Sequence, residues 1–165
     1  MSIKTLLKTL PLLLILLISS CGWQLKGQRQ APAALKVLTL QHQLGPAASK
    51  QLQQQLTEHG WLITTDAASS QALLSLNPLD IRSRTQTINS QGQVAEYELV
   101  GRLSGSLVSA NGSTTPIDIT TQVWFDNDVT RVSATELEET AQRARLTSKL
   151  IDLLILRLLH SNSGS

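Results

Sequence analysis

A strict two-residue alternation of apolar and polar side chains in the middle of the chain constrains the fold more than any other feature. From Ala95 to Leu107 every second residue is apolar or glycine, and most residues between them are charged or carry a hydroxyl. Successive side chains of a strand point to opposite faces, so the run predicts a long strand with one buried and one wet face. A hairpin turn at Asn111-Gly112 is then expected to lead into an antiparallel return strand. Its inward residues are Ile117, Ile119, Thr121, Val123 and Phe125.

Two helices flank these strands. Gly45-Pro46 favours a helix start, and the first helix has one apolar face at four-residue spacing. The segment 133–136, Ser-Ala-Thr-Glu, fits a capping box, from which a second helix is predicted to run to about Leu159. The apolar face of the first helix comprises Ala48, Leu52 and Leu56, and that of the second comprises Leu137, Ala141, Ala144, Ile151, Ile155 and Leu158.

Two more extended runs complete the predicted sheet. One covers Leu35 to Leu40, and the other begins at Ala72 and changes the parity of its apolar positions at Asn77-Pro78, which predicts a bulge or kink there. An antiparallel sheet with one apolar face needs a cover, which the helices supply. The prediction is an α+β fold with two helices on one face of a roughly four-stranded, mostly antiparallel sheet, in the order β-α-β-β-β-α.

A single cysteine marks the predicted start of the mature protein. Lys4 and Lys8 precede an apolar run at 10–18, and small residues lead up to Cys21, which is typical of a secretory signal. The nine apolar residues are too few for a transmembrane helix, which needs about 20. The segment 17–22 resembles the lipobox of bacterial lipoproteins, in which the cysteine sulfur carries a diacylglyceryl group and the freed amine is acylated after cleavage.

We therefore predict that Cys21 is lipidated and anchors the protein in a membrane. Two or more acyl chains anchor a protein firmly, whereas one chain does so only marginally. In bacterial lipoproteins an Asp directly after the lipidated cysteine tends to retain the protein at the inner membrane. This chain has Gly22 at that position, so the segment resembles the outer-membrane sorting signal. The predicted organisation is a signal peptide at 1–20, a lipidated N-terminus and tether at 21–33, one α+β domain at 34–160 and a loose tail at 161–165.

The charge balance argues against nucleic acid as a partner. Loss of residues 1–20 removes Lys4 and Lys8, so that Lys plus Arg falls from 14 to 12 and equals Asp plus Glu. Charged residues make up 16% of the chain, against roughly 25% in typical domains. A weakly charged, nearly neutral surface associates easily, which favours a partner that covers part of it.

No catalytic or metal-binding pattern stands out in the sequence. His42, His59 and His160 are scattered without metal-ligand spacing, and we interpret them as ordinary surface or capping residues. The chain has no glycine-rich phosphate loop and no G-x-S-x-G nucleophile motif. We predict that the protein is not an enzyme and expect no metal and no cofactor.

Three basic residues are candidates for binding a ligand. Arg82 and Arg84 lie on one face of a predicted strand, where they can bind a phosphate or a carboxylate. The alternative is that they are solvated charges that pair with Glu96 or Glu98 across the hairpin. Arg131, in the loop before the last helix, is either a surface charge or a ligand contact.

The second half of the last helix is apolar nearly all round. A helix that is apolar on every side is buried on more than one side, and the sheet can cover only one. We therefore expect a partner surface, or a second copy of the chain, to cover the rest. The candidate contacts are Leu153, Leu154 and Leu156.

Taken together, four segments resemble the LPS-assembly lipoprotein LptE family. They are Cys21-Gly22-Trp23-Gln24-Leu25-Lys26 at the mature N-terminus, Gly92-Gln93-Val94-Ala95-Glu96-Tyr97 before the long strand, Trp124-Phe125-Asp126-Asn127 at the end of the return strand, and the Ala- and Leu-rich last helix. The resemblance spans nearly all of the mature chain, and the order of strands and helices agrees with it.

The resemblance implies a lipoprotein of the cell outer membrane that faces the periplasm. Members of the family sit inside the large LptD β-barrel, assist its assembly, plug its lumen, help deliver lipopolysaccharide to the cell surface and can bind lipopolysaccharide. In the family, basic residues near the tip of the central hairpin and before the last helix bind the glycolipid. This chain has Asn89-Ser90-Gln91 at the first place and Arg131 near the second.

Two other functions stay open at this point. One is an independent periplasm-facing lipoprotein that binds or carries lipid, which needs an enclosed apolar cavity. The other is an anchored enzyme, which needs clustered titratable groups in a cleft.

Overall fold

Two helices cover one face of a six-stranded sheet. The computed structural model describes residues 30–66, 68–127, 130 and 132–161. A short 3₁₀ turn at Ala33–Leu35 precedes the sheet. The strands and helices, in chain order, are β1 (Val37–His42), α1 (Pro46–Glu58), β2 (Leu62–Thr64), β3 (Ala72–Leu76), β4 (Asp80–Ile88), β5 (Val94–Ser109), β6 (Thr114–Asp126) and α2 (Val132–His160).

The long strand β5 organises the sheet. Along one edge it pairs antiparallel with β6 from Glu96 to Val108. Along the other edge it pairs first with β4 and then with β3, both antiparallel. Strand β1 continues the sheet beside β3 and pairs in parallel with both β3 and β2, so that β2 forms the far edge. The sheet is therefore mixed.

The break between β3 and β4 confirms the kink predicted at Asn77-Pro78. Leu76 lies opposite Gly105, and Asp80 lies opposite Arg102. The chain therefore advances four residues from β3 to β4 while β5 advances three. The extra residue is the one that a change of parity requires. The Asn77 backbone N–H donates to the Ser104 carbonyl at 2.9 Å, which ties the kink to β5.

The prediction of the α+β class with two helices on one face is confirmed, but the expected strand count was too low. Six strands are present instead of about four, because the long run from Ala72 divides in two and because β2 joins the sheet. Strand β2 has only three residues, which is too short for a two-residue period to be recognised. Its parallel pairing with β1 follows from the path of α1 back across the sheet.

The core lies between the helices and the alternating face of β5 and β6. Leu99 and Leu103 are 0% exposed, and the inward residues Ile117 and Phe125 of β6 are also buried, as the alternation predicts. The apolar face of α1 packs on the same core. Fully buried side chains of α2 complete it, namely Leu146, Leu150, Ile151, Leu154 and Ile155.

The first half of α2 corrects the predicted apolar stripe. Leu137 is 73% exposed, and Ala141 and Ala144 are exposed, whereas Gln142 and Leu146 are buried. Successive residues are about 100° apart around a helix. The buried face therefore contains Gln142 rather than its neighbour Ala141, which was predicted to be buried. The helix begins at Val132, which places Ser133 inside the first turn rather than before it.

The second half of α2 corrects the expectation that much of its apolar surface needs a partner. Besides the sheet, α1 packs against this helix, and two hydrogen bonds join the pair. Gln51 Nε2 donates to Ser148 Oγ at 2.7 Å, and Gln55 Nε2 donates to Asp152 Oδ1 at 2.6 Å. Most of the leucines are thus covered by the chain itself. No helix in the described ranges is long and apolar enough to cross a membrane.

Candidate functional site

The face of the sheet that the helices leave uncovered, the open face, is a candidate interaction surface. Because cross-strand neighbours share a face, Arg84, Glu98 and Trp124 form one row across β4, β5 and β6 on it. Arg82, Val100 and Gln122 form the next row. The surface combines charged, amide and hydroxyl groups with one half-exposed tryptophan, so it suits a partner with a polar surface.

An ion pair joins two strands on the open face. Arg102 donates to Asp118 through Nε and Nη2, both at 2.7 Å. These hydrogen bonds lower the pKa of the Asp118 carboxyl below its ordinary value, and the positive charges of Arg102 and Arg157 act in the same direction. Both side chains of the pair are more than half exposed, so its contribution to stability is small and screened by salt.

Arg157 protects the free edge of β6. Its guanidinium donates to the Pro116 carbonyl at 2.9 Å and to the Asp118 carbonyl at 3.4 Å. These carbonyls point away from β5, where an incoming strand would otherwise pair with them. Pro116 also lacks an N–H group, so this half of the edge is closed to strand addition.

Arg82 and Arg84 have different acidic neighbours in the described structure. Arg82 and Arg84 share the open face of β4, and both are exposed. Arg82 pairs with Asp80 at 2.8 Å rather than with Glu96 or Glu98. Arg84 lies directly opposite Glu98 in the register. Arg131 lies outside the described residues, as does Cys21.

The three predicted leucine contacts separate into different environments. Leu154 is 0% exposed and belongs to the core, so it is not available to a partner. Leu153 is partly buried against the core. Leu156 is 50% exposed and points away from it. Of the three, Leu156 retains the surface that a partner contact needs.

The histidines have local structural contacts. His42 Nε2 lies 3.0 Å from Ser49 Oγ at the start of α1, and His160 Nδ1 lies 2.6 Å from the Leu156 carbonyl. The carbonyl of His59 accepts a hydrogen bond from the Ala31 N–H at 2.7 Å. Within the described part of the chain, no group of three His, Cys, Asp or Glu side chains could hold a metal ion.

The space between sheet and helices is filled by side chains. Leu74, Leu99, Leu103 and Leu150 are all 0% exposed there. Two grooves on the described surface, of about 410 and 460 Å³, open to solvent at the two ends of the β5–β6 hairpin. Neither groove encloses an apolar ligand in the way that a lipid carrier requires.

The structure exposes several apolar residues that the sequence pattern did not single out. Leu62 and Ile63 on β2 are 57% and 38% exposed, Ile88 at the end of β4 is 63% exposed, and Trp124 on β6 is 53% exposed. Trp124 occupies one of the positions of β6 that alternate with the buried residues, so the alternation of the strand indicates that it faces away from the core. Strand β2 carried no such signal because it is too short.

Comparison with proteins of known structure defines the class. The fold matches that of a lipoprotein B from Nitrosomonas europaea with a TM-score of 0.71 at 18% identity, over 87% of this chain and 94% of that one. It matches the rare lipoprotein B from Shewanella oneidensis with a TM-score of 0.65 at 19% identity, over 78% and 94% of the two chains. The chain thus has the fold of these small α+β lipoproteins.

Sequence comparison then shows the family. The family model LptE, lipopolysaccharide-assembly, matches residues 32–158. A protein named LPS-assembly lipoprotein LptE from Pectobacterium atrosepticum is 27% identical over 157 residues, which cover 92% of this chain and 84% of that one. A protein of the same name from Photorhabdus laumondii is 29% identical over 118 residues, with coverages of 70% and 64%. The chain belongs to the LptE family, as the four sequence segments predict.

Proposed function

We propose that this chain is an outer-membrane lipoprotein that faces the periplasm, assists assembly of an LptD-type β-barrel and plugs its lumen, and thereby helps deliver lipopolysaccharide to the cell surface. The observation that carries the proposal is family membership across residues 32–158. The names of two relatives, LPS-assembly lipoprotein LptE, support both the lipid anchor and the lipopolysaccharide pathway.

The open face supports a place inside a barrel. The interior of an outer-membrane barrel is polar, so a plug needs a polar surface rather than an apolar one. Strand β6 is exposed at Thr120 and Gln122 on the open face, beside the Arg102–Asp118 pair. At about 3.3 Å per residue, the 16 residues of β5 span about 50 Å, which exceeds the hydrocarbon thickness of about 30 Å. The hairpin is therefore long enough to run through a barrel.

The anchor supports a place at the membrane. Cys21 and its preceding segment have the pattern of a lipoprotein signal, and acylation there would hold the domain at one leaflet. Gly22 favours the outer membrane through its resemblance to the sorting signal.

Co-purification tests the proposal. Tagged full-length protein, extracted from membranes in mild detergent, should co-purify with a large β-barrel protein, and a photocrosslinker in place of Leu156 should react with that barrel. The Cys21→Ser variant should accumulate as uncleaved precursor, incorporate no labelled palmitate and lose the barrel. A protein that always purifies alone contradicts the proposal. Co-purification without a crosslink from position 156 contradicts only the contact assigned to Leu156.

We further propose that Arg82 and Arg84 bind phosphate groups of lipopolysaccharide, with Arg131 as a third basic residue. Arg82 and Arg84 stand two residues apart on an exposed strand face, where paired guanidinium groups can bind anionic oxygens. The double variant Arg82→Gln/Arg84→Gln should bind immobilised lipopolysaccharide about tenfold more weakly, the effect of losing roughly 1.4 kcal/mol of binding free energy.

The matched control is Arg145→Gln/Lys149→Gln, which removes the same charge from exposed positions on α2. It should bind lipopolysaccharide like the unmodified protein. An equal loss in both double variants would show that only net charge matters, and it would contradict a site at Arg82 and Arg84.

A further inference from the structure

Strand β2 presents an apolar edge that the described chain does not cover. Leu62 is 57% exposed and Ile63 is 38% exposed, and they are two of the three residues of the strand. Strand β2 pairs with β1 on one side only. Edge strands of soluble domains are usually blunted by charged residues or proline, whereas this one carries leucine and isoleucine. Leucine and isoleucine therefore leave this edge open to an apolar partner.

The chain enters the folded body directly beside β2. The Ala31 N–H donates to the His59 carbonyl at 2.7 Å, and the Leu62 N–H donates to the Lys36 carbonyl at 2.8 Å. Because β1 and β2 are parallel and Val37 lies beside Leu62, both strands begin at this end of the sheet. We call the end formed by Ala31, Lys36 and Leu62 the anchor end.

The length of the tether keeps the anchor end near the predicted lipid. Cys21 precedes Ala31 by ten residues. A fully extended residue spans at most about 3.6 Å, so the acylated cysteine lies within about 35 Å of Ala31. The leaflet that holds the acyl chains is therefore within reach of β2.

The segment that leads from the predicted anchor to the anchor end is basic in sequence. From Cys21 to Lys36 the sequence contains Lys26, Arg29 and Lys36 and no Asp or Glu. Anionic headgroups attract such basic segments next to a membrane anchor. Trp23 is also of the residue type that favours the membrane–water interface.

We infer that the anchor end rests on the lipid leaflet that holds the acyl anchor, with Leu62 and Ile63 of β2 in contact with lipid. This inference depends on the proposed lipidation of Cys21. It adds that the folded body, and not only the acyl chains, touches the membrane. The β4–β5 hairpin tip near Ile88 then points away from the leaflet, because β4 runs antiparallel along β5 to the opposite end of the sheet.

Fluorescence in vesicles tests the inference with the full lipidated chain. Acylation occupies Cys21, so Leu62→Cys or Ile63→Cys introduces the only free thiol, which can carry an environment-sensitive fluorophore. Ile88→Cys is the matched control, since Ile88 is an equally apolar, exposed strand residue at the opposite end. The labelled proteins are reconstituted into vesicles of phosphatidylethanolamine and phosphatidylglycerol, with and without a nitroxide-labelled lipid.

At positions 62 and 63 the emission should shift to the blue, and the nitroxide lipid should quench it. At position 88 the emission should stay that of a label in water. Water-like emission at 62 and 63 from protein that floats with the vesicles overturns the inference but leaves the anchor intact. A blue shift without nitroxide quenching shows that protein rather than lipid covers these positions, and it overturns the inference too. Equal quenching at position 88 contradicts the orientation, and protein that does not float refutes the lipid anchor itself.

Discussion

Gly105→Ala is expected to destabilise the domain by about 3 kcal/mol, at the upper end of the range for overpacked interiors. Gly105 lies in β5 opposite Leu76 of β3. A methyl group at this position would overlap the carbonyl oxygen of Ser75 and would lie 3.1 Å from the Leu76 Cα. These are backbone atoms of a paired strand, so they cannot rotate away, and the pairing of β3 with β5 has to open. Urea unfolding, followed by circular dichroism, measures the loss.

Gly101→Ala is the matched control four residues earlier in the same strand. There the new methyl group would lie 2.9 Å from the side-chain ends of Leu146 and Leu150. Leucine side chains can adjust by a few tenths of an ångström, so the loss should be clearly smaller, about 1 kcal/mol. An equal loss of stability in both variants would show that contact with the backbone of β3 is not the deciding factor.

Leu154→Ala is expected to lower the free energy of unfolding by about 2–5 kcal/mol, the range for leucines removed from a filled core. Leu154 is 0% exposed and packs in the cluster between the sheet, α1 and α2. The substitution leaves a cavity because the neighbouring side chains are held by both helices and by β5. Thermal unfolding of the purified protein tests this.

Leu156→Ala separates core packing from partner binding on the same helix. Leu156 is 50% exposed, and surface substitutions usually change stability by about 0.5 kcal/mol or less. The variant should therefore fold like the unmodified protein, and any loss of the proposed barrel contact would reflect binding. If Leu156→Ala unfolded as readily as Leu154→Ala, the assignment of the two residues to surface and core would be wrong.

Features with a local period were predictable from the sequence. The alternation in β5 and β6 assigns each residue to a face, and the structure places Leu99, Leu103, Ile117 and Phe125 in the core accordingly. The parity change at Asn77-Pro78 predicted the extra residue between β3 and β4. These predictions hold because a strand has a period of two, so one buried face determines its register.

The environment of α2 was not predictable in the same way. A helix that is apolar nearly all round does not indicate which side meets the sheet, and Leu137 and Leu154 were assigned to the wrong surroundings for that reason.

The partners of the basic residues were also only partly predictable. That Arg82 and Arg84 share a face follows from their spacing, but the choice of Asp80 as the partner of Arg82 depends on side-chain geometry.

The sequence by itself determined the strand faces, the kink and the two helices, and it carries the resemblances to a lipobox and to the LptE family, because each depends on the order of residues over a short stretch. Only the tertiary structure decided that α1 covers the leucines of α2, that β2 pairs in parallel at the edge, and that Gly105 lies too close to the backbone of β3 for any side chain. Those facts depend on contacts between segments far apart in the chain, and such contacts leave no periodic signal in any one of them.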